Sequence, residues 1–177
     1  DWSGAKFRSA TAVSITTDNK IVVVGSQRRG MAILRLTEDG FIEQDLDTGF
    51  GPIRSSGSIR YGYNLLDNIE GGLSGGLSNG KSYANDVDIM SDNRIIVVGS
   101  SEFGSKFNDY SALWRFTKDG ILEGYNFHIE SGETVYSDAR SVIVTDSNEI
   151  ITSGSSYSRT GSIYREKESI KRFVSIN

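Results

Sequence analysis

The chain contains a single histidine and no cysteine, which limits the chemistry open to its side chains. A zinc site needs several histidine, cysteine or carboxylate ligands, so His128 without a second histidine or a thiolate predicts no zinc centre. A serine–histidine–aspartate triad would have to use His128, yet no Gly-x-Ser-x-Gly elbow leads into a helix. We interpret His128 as a surface residue at a strand end, and we predict no catalytic residue, no cofactor and no disulfide.

Acidic residues recur at predicted turns, in the pairs Asp18-Asn19, Asp92-Asn93 and Asp39-Gly40. Calcium takes about six to eight converging oxygen ligands, and the spacing of an EF-hand loop is absent. Asp45 and Asp47 form the nearest cluster. Turn formation explains these residues, because Asp and Asn side chains bond to their own backbone in turns. The sequence therefore predicts no metal site.

A carboxylate pair for glycoside cleavage depends on a separation of roughly 5–9.5 Å, which the sequence does not fix. Each acidic residue of this chain has an interpretation as a turn or solvent-exposed residue. Hydrolase activity is therefore the least favoured of three functional classes, and we predict that the protein is not an enzyme.

An arginine recurs in the third strand of each of three predicted units. It is held by Arg35, Arg115 and Arg165. One arginine per unit suits one ligand contact per unit, but the shared position favours a bond to a carbonyl or carboxylate of the adjacent unit. A sugar-binding protein predicts a matching aromatic residue in every unit. Leu34, Trp114 and Tyr164 meet that expectation only in part.

Arg60, Tyr61 and Tyr63 are the speculative ligand-binding or partner-binding residues of the chain. They precede a glycine-rich stretch in a long insertion. Exposed tyrosine together with arginine suits the recognition of a sugar or a protein. The alternative is that the two tyrosines fix the loop onto the neighbouring sheet.

The unit that positions these side chains occurs three times, at 10–26, 84–100 and 139–155. The copies share a small residue, a valine, a turn asparagine, an isoleucine and a glycine at constant spacing. Self-similarity of this kind indicates a repeat architecture. The asparagines Asn19, Asn93 and Asn148 occupy a tight turn, where asparagine tolerates a positive φ better than other residues with a Cβ.

Each copy predicts four antiparallel strands. The first strand alternates, as in Val13/Ile15 and Val87/Ile89, which predicts one buried face. The second is a continuous apolar run closed by glycine, typical of a central strand. The third strand is predicted at 32–37, 112–117 and 162–166, and the fourth at 41–44, 121–127 and 170–174. Asp-Gly forms the turn before the fourth strand in two copies, and Lys167-Glu168-Ser169 replaces it in the last.

The 177 residues predict one repeat domain, 1–177. We place repeat one at about 7–51, a glycine-rich insertion at about 52–82, repeat two at about 83–128 and repeat three at about 136–177. The run 71–80 is of low complexity and predicts almost no core. A smaller insertion at 102–109 widens the link between the second and third strands of repeat two. No helix is predicted.

The net charge of −4 is mild and the basic residues are scattered, so we predict no nucleic-acid partner. No apolar run approaches the ~18 residues of a membrane span. The chain begins at Asp1 without a signal peptide. We interpret it as a piece of a longer parent chain, which is one of its expected partners.

The motif Val-x-Ile-x-x-Asp-Asn-(Lys/Arg)-Ile-(Ile/Val)-Val-Val-Gly, followed by Ala-(Ile/Leu)-x-Arg-x-Thr-x-Asp-Gly, resembles the delta-sixty repeat proteins. It covers most of the first two copies. The segment 45–51, Asp-Leu-Asp-Thr-Gly-Phe-Gly, looks like the Asp-x-Phe-Gly box that closes that repeat. The resemblance implies propeller-like β-structure on a large exported or surface protein, hence an extracellular or cell-surface location, and it implies no defined activity.

A tandem four-stranded meander is typical of propeller blades, yet closed propellers use about four to eight blades. Three blades predict a partial propeller or an open stack, whose apolar ends are covered by the parent chain, another chain or a second copy. We therefore expect a non-catalytic structural or adhesive module that binds a protein or further copies of itself. The alternative is a carbohydrate-binding, lectin-like propeller closed by oligomerisation.

Overall fold

The computed structural model describes residues 9–26, 30–43, 50–51, 63–66, 81–103, 108–128, 134–160 and 163–173. Across these residues the chain is all β, with eleven strands and no helix, and the prediction of an all-β fold is confirmed. It follows that this part of the chain holds no helix long and apolar enough to cross a membrane.

The strands form three antiparallel sheets, each built from consecutive strands. The first sheet contains β1 (Ser9–Ile15), β2 (Ile21–Ser26), β3 (Met31–Leu36) and β4 (Tyr63–Leu66), in that order. The second contains β5 (Ser82–Ile89), β6 (Ile95–Phe103), β7 (Asn108–Phe116) and β8 (Leu122–His128), also in chain order. The third contains β9 (Thr134–Val144), β10 (Ile150–Thr160) and β11 (Ile163–Phe173), with β10 in the centre.

The first hairpin of every sheet turns at an asparagine with positive φ. The φ angles are 61° at Asn19, 65° at Asn93 and 60° at Asn148, as the sequence predicts. In each turn the asparagine N–H donates to the carbonyl three residues earlier, at 2.8–3.0 Å. A short polar side chain tolerates this left-handed backbone, so the turn residue fixes the strand register.

A β-bulge follows at the same place in all three hairpins. The register skips Thr11 in the first sheet, Asn85 in the second and Arg140 in the third. The glycine opposite the bulge has no room for a side chain: a Cβ on Gly99 would lie 1.9 Å from the carbonyl oxygen of Tyr83. Gly25 and Gly154 are equally crowded, so two backbones approach closely at each bulge.

Two predicted fourth strands are wrong. After the Asp39-Gly40 turn, Ile42 makes only an isolated bridge to Leu36, and the fourth strand of the first sheet is β4, from the predicted insertion. In the third sheet, β11 pairs with β10 without a break, so the turn expected at 167–169 does not exist. The reason is local: without Asp-Gly, no residue there favours the positive φ of a hairpin turn.

The second sheet also differs from the prediction in the connection between β6 and β7. Strands β6 and β7 extend into the predicted insertion at 102–109 from both sides, as far as the pair Phe103 and Asn108. The strands predicted at 112–117 and 121–127 are otherwise present as β7 and β8.

The core lies between the sheets, in two layers. Val22, Val24 and Ile33 of the first sheet pack with Val97 and other residues of the second. On the opposite side, Ile96 and Val98 pack with residues of the third sheet, among them Val142. Strand β6 is therefore buried on both faces, as its continuous apolar sequence predicts.

The first strand of the first sheet departs from its prediction. Val13 and Ile15 are 63% and 65% exposed, whereas the equivalent Val87 of the second sheet is buried. The two sides of β1 alternate as predicted. No described sheet packs over Val13 and Ile15, however, because β1 belongs to a sheet at one end of the stack. Burial therefore depends on a neighbouring sheet and not on the strand sequence alone.

Candidate interaction surfaces

The bulge residues reach from one sheet to the next. The Thr11 hydroxyl donates to the carbonyl oxygen of Ala84 at 2.8 Å, and the Asn85 side-chain amide donates to the carbonyl oxygen of Ala139 at 2.8 Å. A bulge re-aims the side chain of its extra residue, which explains why a polar residue suits this position. Each bulge thus places a donor on the backbone of the following sheet.

The turn asparagines make a second contact, in the reverse direction. Asn93 Oδ1 accepts bonds from the backbone N–H and the hydroxyl of Thr17, both at 2.8 Å. Asn148 Oδ1 accepts from the backbone N–H of Ser91 at 3.0 Å, and its amide donates to the Ser91 hydroxyl at 2.8 Å. The asparagine therefore serves both its own turn and the contact with the preceding sheet.

Arg35 makes a third contact, from β3 to the second turn of the second sheet. Its guanidinium donates to the carbonyl oxygen of Lys118, pairs with Glu43 and lies 4.9 Å from the ring centre of Phe50. Phe50 is fully buried against Gly120. The prediction that this arginine bonds to the neighbouring unit is confirmed for Arg35, while Arg115 pairs with Glu123 of its own sheet at 3.0 Å.

The predicted equivalence of Arg165 is wrong. Arg35 lies opposite Val22 and Arg115 opposite Ile96, and the same register position in the third sheet holds Arg172, opposite Ile151. Because β11 continues past the turn predicted at 167–169, the sequence alignment of the last copy is displaced. Arg165 lies opposite Ser158 instead.

The aromatic series proposed for sugar binding is displaced in the same way. The residue in register with Leu34 and Trp114 is Lys171 and not Tyr164. Leu34 and Trp114 are both fully buried. These positions therefore do not place one exposed aromatic residue on each sheet.

Two aspartates of β5 hold the third sheet, and sequence reasoning missed them. Asp86 Oδ2 accepts bonds from the Ser141 hydroxyl at 2.8 Å and from the backbone N–H of Val142 at 2.9 Å. Asp88 Oδ2 accepts a bond from the backbone N–H of Val144 at 2.6 Å. The available signal was an acidic residue on each side of the apolar Val87 in β5.

The first sheet has one side that faces away from the second sheet. This side carries apolar residues at the same register positions as the side of the second sheet that packs against the first. Val22 and Val24 pack inward, so by strand alternation the residues between them face outward. The residues on this side are apolar. Ala10, Val13 and Ile15 of β1 are exposed and Ile21 and Val23 of β2 are half-buried, whereas Ala32, Leu34 and Leu36 of β3 are already buried. Their register counterparts are Ala84, Val87, Ile89, Ile95, Val97, Ala112, Trp114 and Phe116. We call this surface the first face.

The third sheet presents the opposite end of the stack, which we call the third face. It carries Ile143, 60% exposed, Ile170, 80% exposed, and half-buried Ile151. Arg172 and the bulge residue Arg140 are also exposed. The residues of the described chain thus leave exposed aliphatic side chains on both outer sheets.

Beside the third face, Tyr136 and Tyr157 stack with their ring centres 4.4 Å apart. The hydrogen bond from Tyr157 to Glu166 raises the pKa of the phenol, and partial desolvation and the Glu166 charge act in the same direction. Arg140 pairs with Asp138 at 3.0 Å, and that bond raises the pKa of its guanidinium. Two tyrosines and an arginine therefore form a small polar aromatic patch.

Most of the binding residues predicted from the sequence lie outside the described residues. Arg60 and Tyr61 lie outside the described residues, as do Asp45 and Asp47, and Tyr63 begins the edge strand β4 opposite Leu34. His128 ends β8, opposite Ser111. Arg60, Tyr61 and Tyr63 therefore stay predictions.

The acidic turn residues have structural partners. A hydrogen bond from the Thr16 side chain lowers the pKa of Asp18, and Asp92 pairs with Arg94 at 2.7 Å. The part of the chain that the structure describes contains no group of three or more histidine and acidic residues arranged for a metal ion.

Comparison with models of known protein families and with curated proteins gives no match. The features that bear on function are therefore the contacts between the sheets and the two exposed faces.

Proposed function

We propose that the protein is a non-catalytic structural or adhesive module of a surface or secreted assembly, which binds a protein partner or further copies of itself. The observation that carries this proposal is the first face. Val13 and Ile15 are exposed at positions where the second sheet buries Val87 and half-buries Ile89. Exposed apolar surface of this kind marks an interaction site.

The proposal includes an architecture of propeller-like blades related to the delta-sixty repeats. Its support is the recurrence of one turn asparagine, one bulge and one crowded glycine in each sheet. Two pairs of sheets are also joined by equivalent bulge and turn contacts. An assembly of such blades on an exported protein accounts for the exposed aliphatic residues on both outer sheets.

A carbohydrate-binding module is the second candidate, favoured by the stacked pair Tyr136 and Tyr157 beside Arg140. Aromatic rings with an adjacent arginine suit recognition of a polar ring. The burial of Trp114 and Leu34 argues against one sugar site per blade. Hydrolase activity remains the third class and has no supporting observation in the described residues.

The deciding experiment presents the chain with a panel of immobilised glycans and with a surface coated with the same chain. If the protein is a structural module, it should bind saturably to the surface coated with the same chain. The glycans should remain intact, which mass spectrometry checks. Glycan binding that is lost in Tyr136→Ala and Tyr157→Ala would support the second candidate. Release of glycan fragments would contradict a non-catalytic role.

A further inference from the structure

We infer that the first face of one chain binds the third face of a second copy, head to tail, through the same contacts that join the sheets within one chain. This inference deepens the proposed function, on which it rests, by naming the partner and both surfaces. Three kinds of contact join the first and second sheets, and two of them join the second and third. Among the described residues, the position equivalent to one half of each contact lies on the first sheet, and the position equivalent to the other half lies on the third sheet.

The receiving halves lie on the first sheet. Ala10, in register with the acceptors Ala84 and Ala139, is exposed, whereas both counterparts are buried. Asn19 has the positive φ of Asn93 and Asn148 but is exposed, while those two are half-buried against the preceding sheet. Glu38 occupies the turn position whose carbonyl, at Lys118, accepts from Arg35.

The donating halves lie on the third sheet, at the positions that make these contacts elsewhere. Arg140 is the bulge residue, equivalent to Thr11 and Asn85, and its guanidinium has N–H groups beyond those bonded to Asp138 and Ser155. Asp146 precedes the turn as Thr17 and Ser91 do, so its backbone N–H matches the amide oxygen of Asn19. Arg172 holds the position of Arg35. It pairs with Glu149, much as Arg35 pairs with Glu43 while also donating to Lys118.

The apolar parts of the two faces also correspond. Within the chain, Val22 and Val24 cover the valines and isoleucines of the second sheet. On the third face, Ile151 stands at the position of Val22, and Ile170 at that of Ile33. Burying Val13 and Ile15 under these side chains would remove the most exposed aliphatic surface of both ends.

A head-to-tail contact joins the first face of one copy to the third face of another. The pair therefore still has one free first face and one free third face for further copies. Such a contact closes into a ring when the rotation allows it and extends into a filament when it does not. Two copies closing on each other would bring six sheets into one ring, within the usual range of propellers.

The test uses one variant for each face. Val13→Asp with Ile15→Asp alters the first face, and Ile143→Asp with Ile170→Asp alters the third. All four side chains are mostly exposed, so folding should persist, which circular dichroism checks. Each variant should weaken self-association by about 100-fold or more, because a carboxylate would be buried without a partner. Ile121→Asp, in the exposed connection between β7 and β8, is the control and should associate as the wild type does.

Mixing the two face variants distinguishes head-to-tail binding from symmetric pairing. Each variant alone has one intact face and should stay monomeric by light scattering, whereas an equimolar mixture should form a complex of one copy of each. If the first face paired with itself, the third-face variant would still dimerise alone. A mixture that stays monomeric, or a third-face variant that dimerises, would overturn the inference.

Cysteine cross-linking provides a second readout, since the chain has no cysteine of its own. Asn19→Cys in one copy and Asp146→Cys in another should form an intermolecular disulfide on mild oxidation. Ser91→Cys with Asn148→Cys in one chain places two cysteines at the equivalent contact within the chain, and its yield of disulfide is the reference. Asn148, like Asn19, has a positive φ, so both cysteine pairs have the same backbone strain at the asparagine position. Efficient internal cross-linking without the intermolecular product would also contradict the inference. Protein binding to another partner would then leave the proposed function standing.

Discussion

Single polar side chains hold the sheets of this protein together, and Asp86 is the clearest example. One carboxylate oxygen accepts bonds from the hydroxyl of Ser141 and the backbone N–H of Val142, while the other accepts from the N–H of Val87. An ionised acceptor makes stronger hydrogen bonds than a neutral one. The carboxylate thereby joins the edge of one sheet to the edge of the next.

Replacing Asp86 should expose this role. We expect Asp86→Ala to lower the free energy of unfolding by about 1–3 kcal/mol, because the N–H of Val142 loses its charged acceptor. Urea denaturation measures the change. Asp92→Ala is the control: Asp92 bonds only to Arg94 within an exposed turn, and its loss should cost less than about 1 kcal/mol. Equal losses in the two variants would contradict a specific role between sheets.

Tyr157 offers a test by titration. Its bond to Glu166 raises the pKa, so Glu166→Ala should move the pKa of Tyr157 down toward the ordinary value of about 10. A raised folded-state pKa stabilises the protein below the unfolded-state value, and the effect disappears as the pH rises through the folded-state value. The stability difference between wild type and Glu166→Ala should therefore vanish in strong alkali.

Absorbance of tyrosinate in alkaline solution measures this pKa, with Tyr157→Phe used to isolate the signal. Glu168→Ala, an exposed acid on the same strand, is the matched control. Identical titration curves for wild type and Glu166→Ala would refute the proposed bond.

At the scale of the element, the three first hairpins were predictable because their determinants are local. An asparagine at the turn and a glycine in the second strand, opposite the bulge, fix the hairpin within about fifteen residues of sequence. The strands β4 and β11 were not predicted correctly. The pairing of β4 with β3 joins segments that are distant in the chain, and the sequence of Tyr63–Leu66 contains no signal that identifies β3 as its partner.

The bulge gives an element-scale prediction. Gly99→Ala should lower the free energy of unfolding by at least about 2 kcal/mol, because its Cβ would collide with the carbonyl of Tyr83. Gly124→Ala is the control, since no other residue lies within 4 Å of the added Cβ, and we expect a change within about 0.5 kcal/mol. Chemical denaturation compares them, and equal tolerance would show that the bulge relaxes easily.

At the scale of the whole molecule, the sequence indicated which strands are apolar but not which of them are covered. Val13 and Val87 have the same sequence context, yet one is exposed and the other buried, because only the second has a sheet in front of it. The sequence predicted that an open stack has apolar ends that need cover, but not which residues form them. The individual binding residues that it predicted, Arg60, Tyr61 and Tyr63, were chosen from their residue types and their place in the long insertion.

The same dependence on stacking explains why the asparagine and bulge contacts between sheets were not predicted, although the Arg35 contact was. Asn93 was assigned to a turn, correctly, but its second role requires Thr17 of another sheet, 76 residues away. A repeat predicts that neighbouring units touch, while the atoms that touch depend on how the sheets stack. The two open ends of the stack then define the central claim, that this chain associates through its outer faces.

The most direct test is the solution mass of the wild-type chain by light scattering over a dilution series. The account predicts a mass that rises with concentration from one chain of 19.4 kDa to a ring of two, or to longer filaments. A mass of one chain at every concentration, from a protein that remains folded, would contradict it.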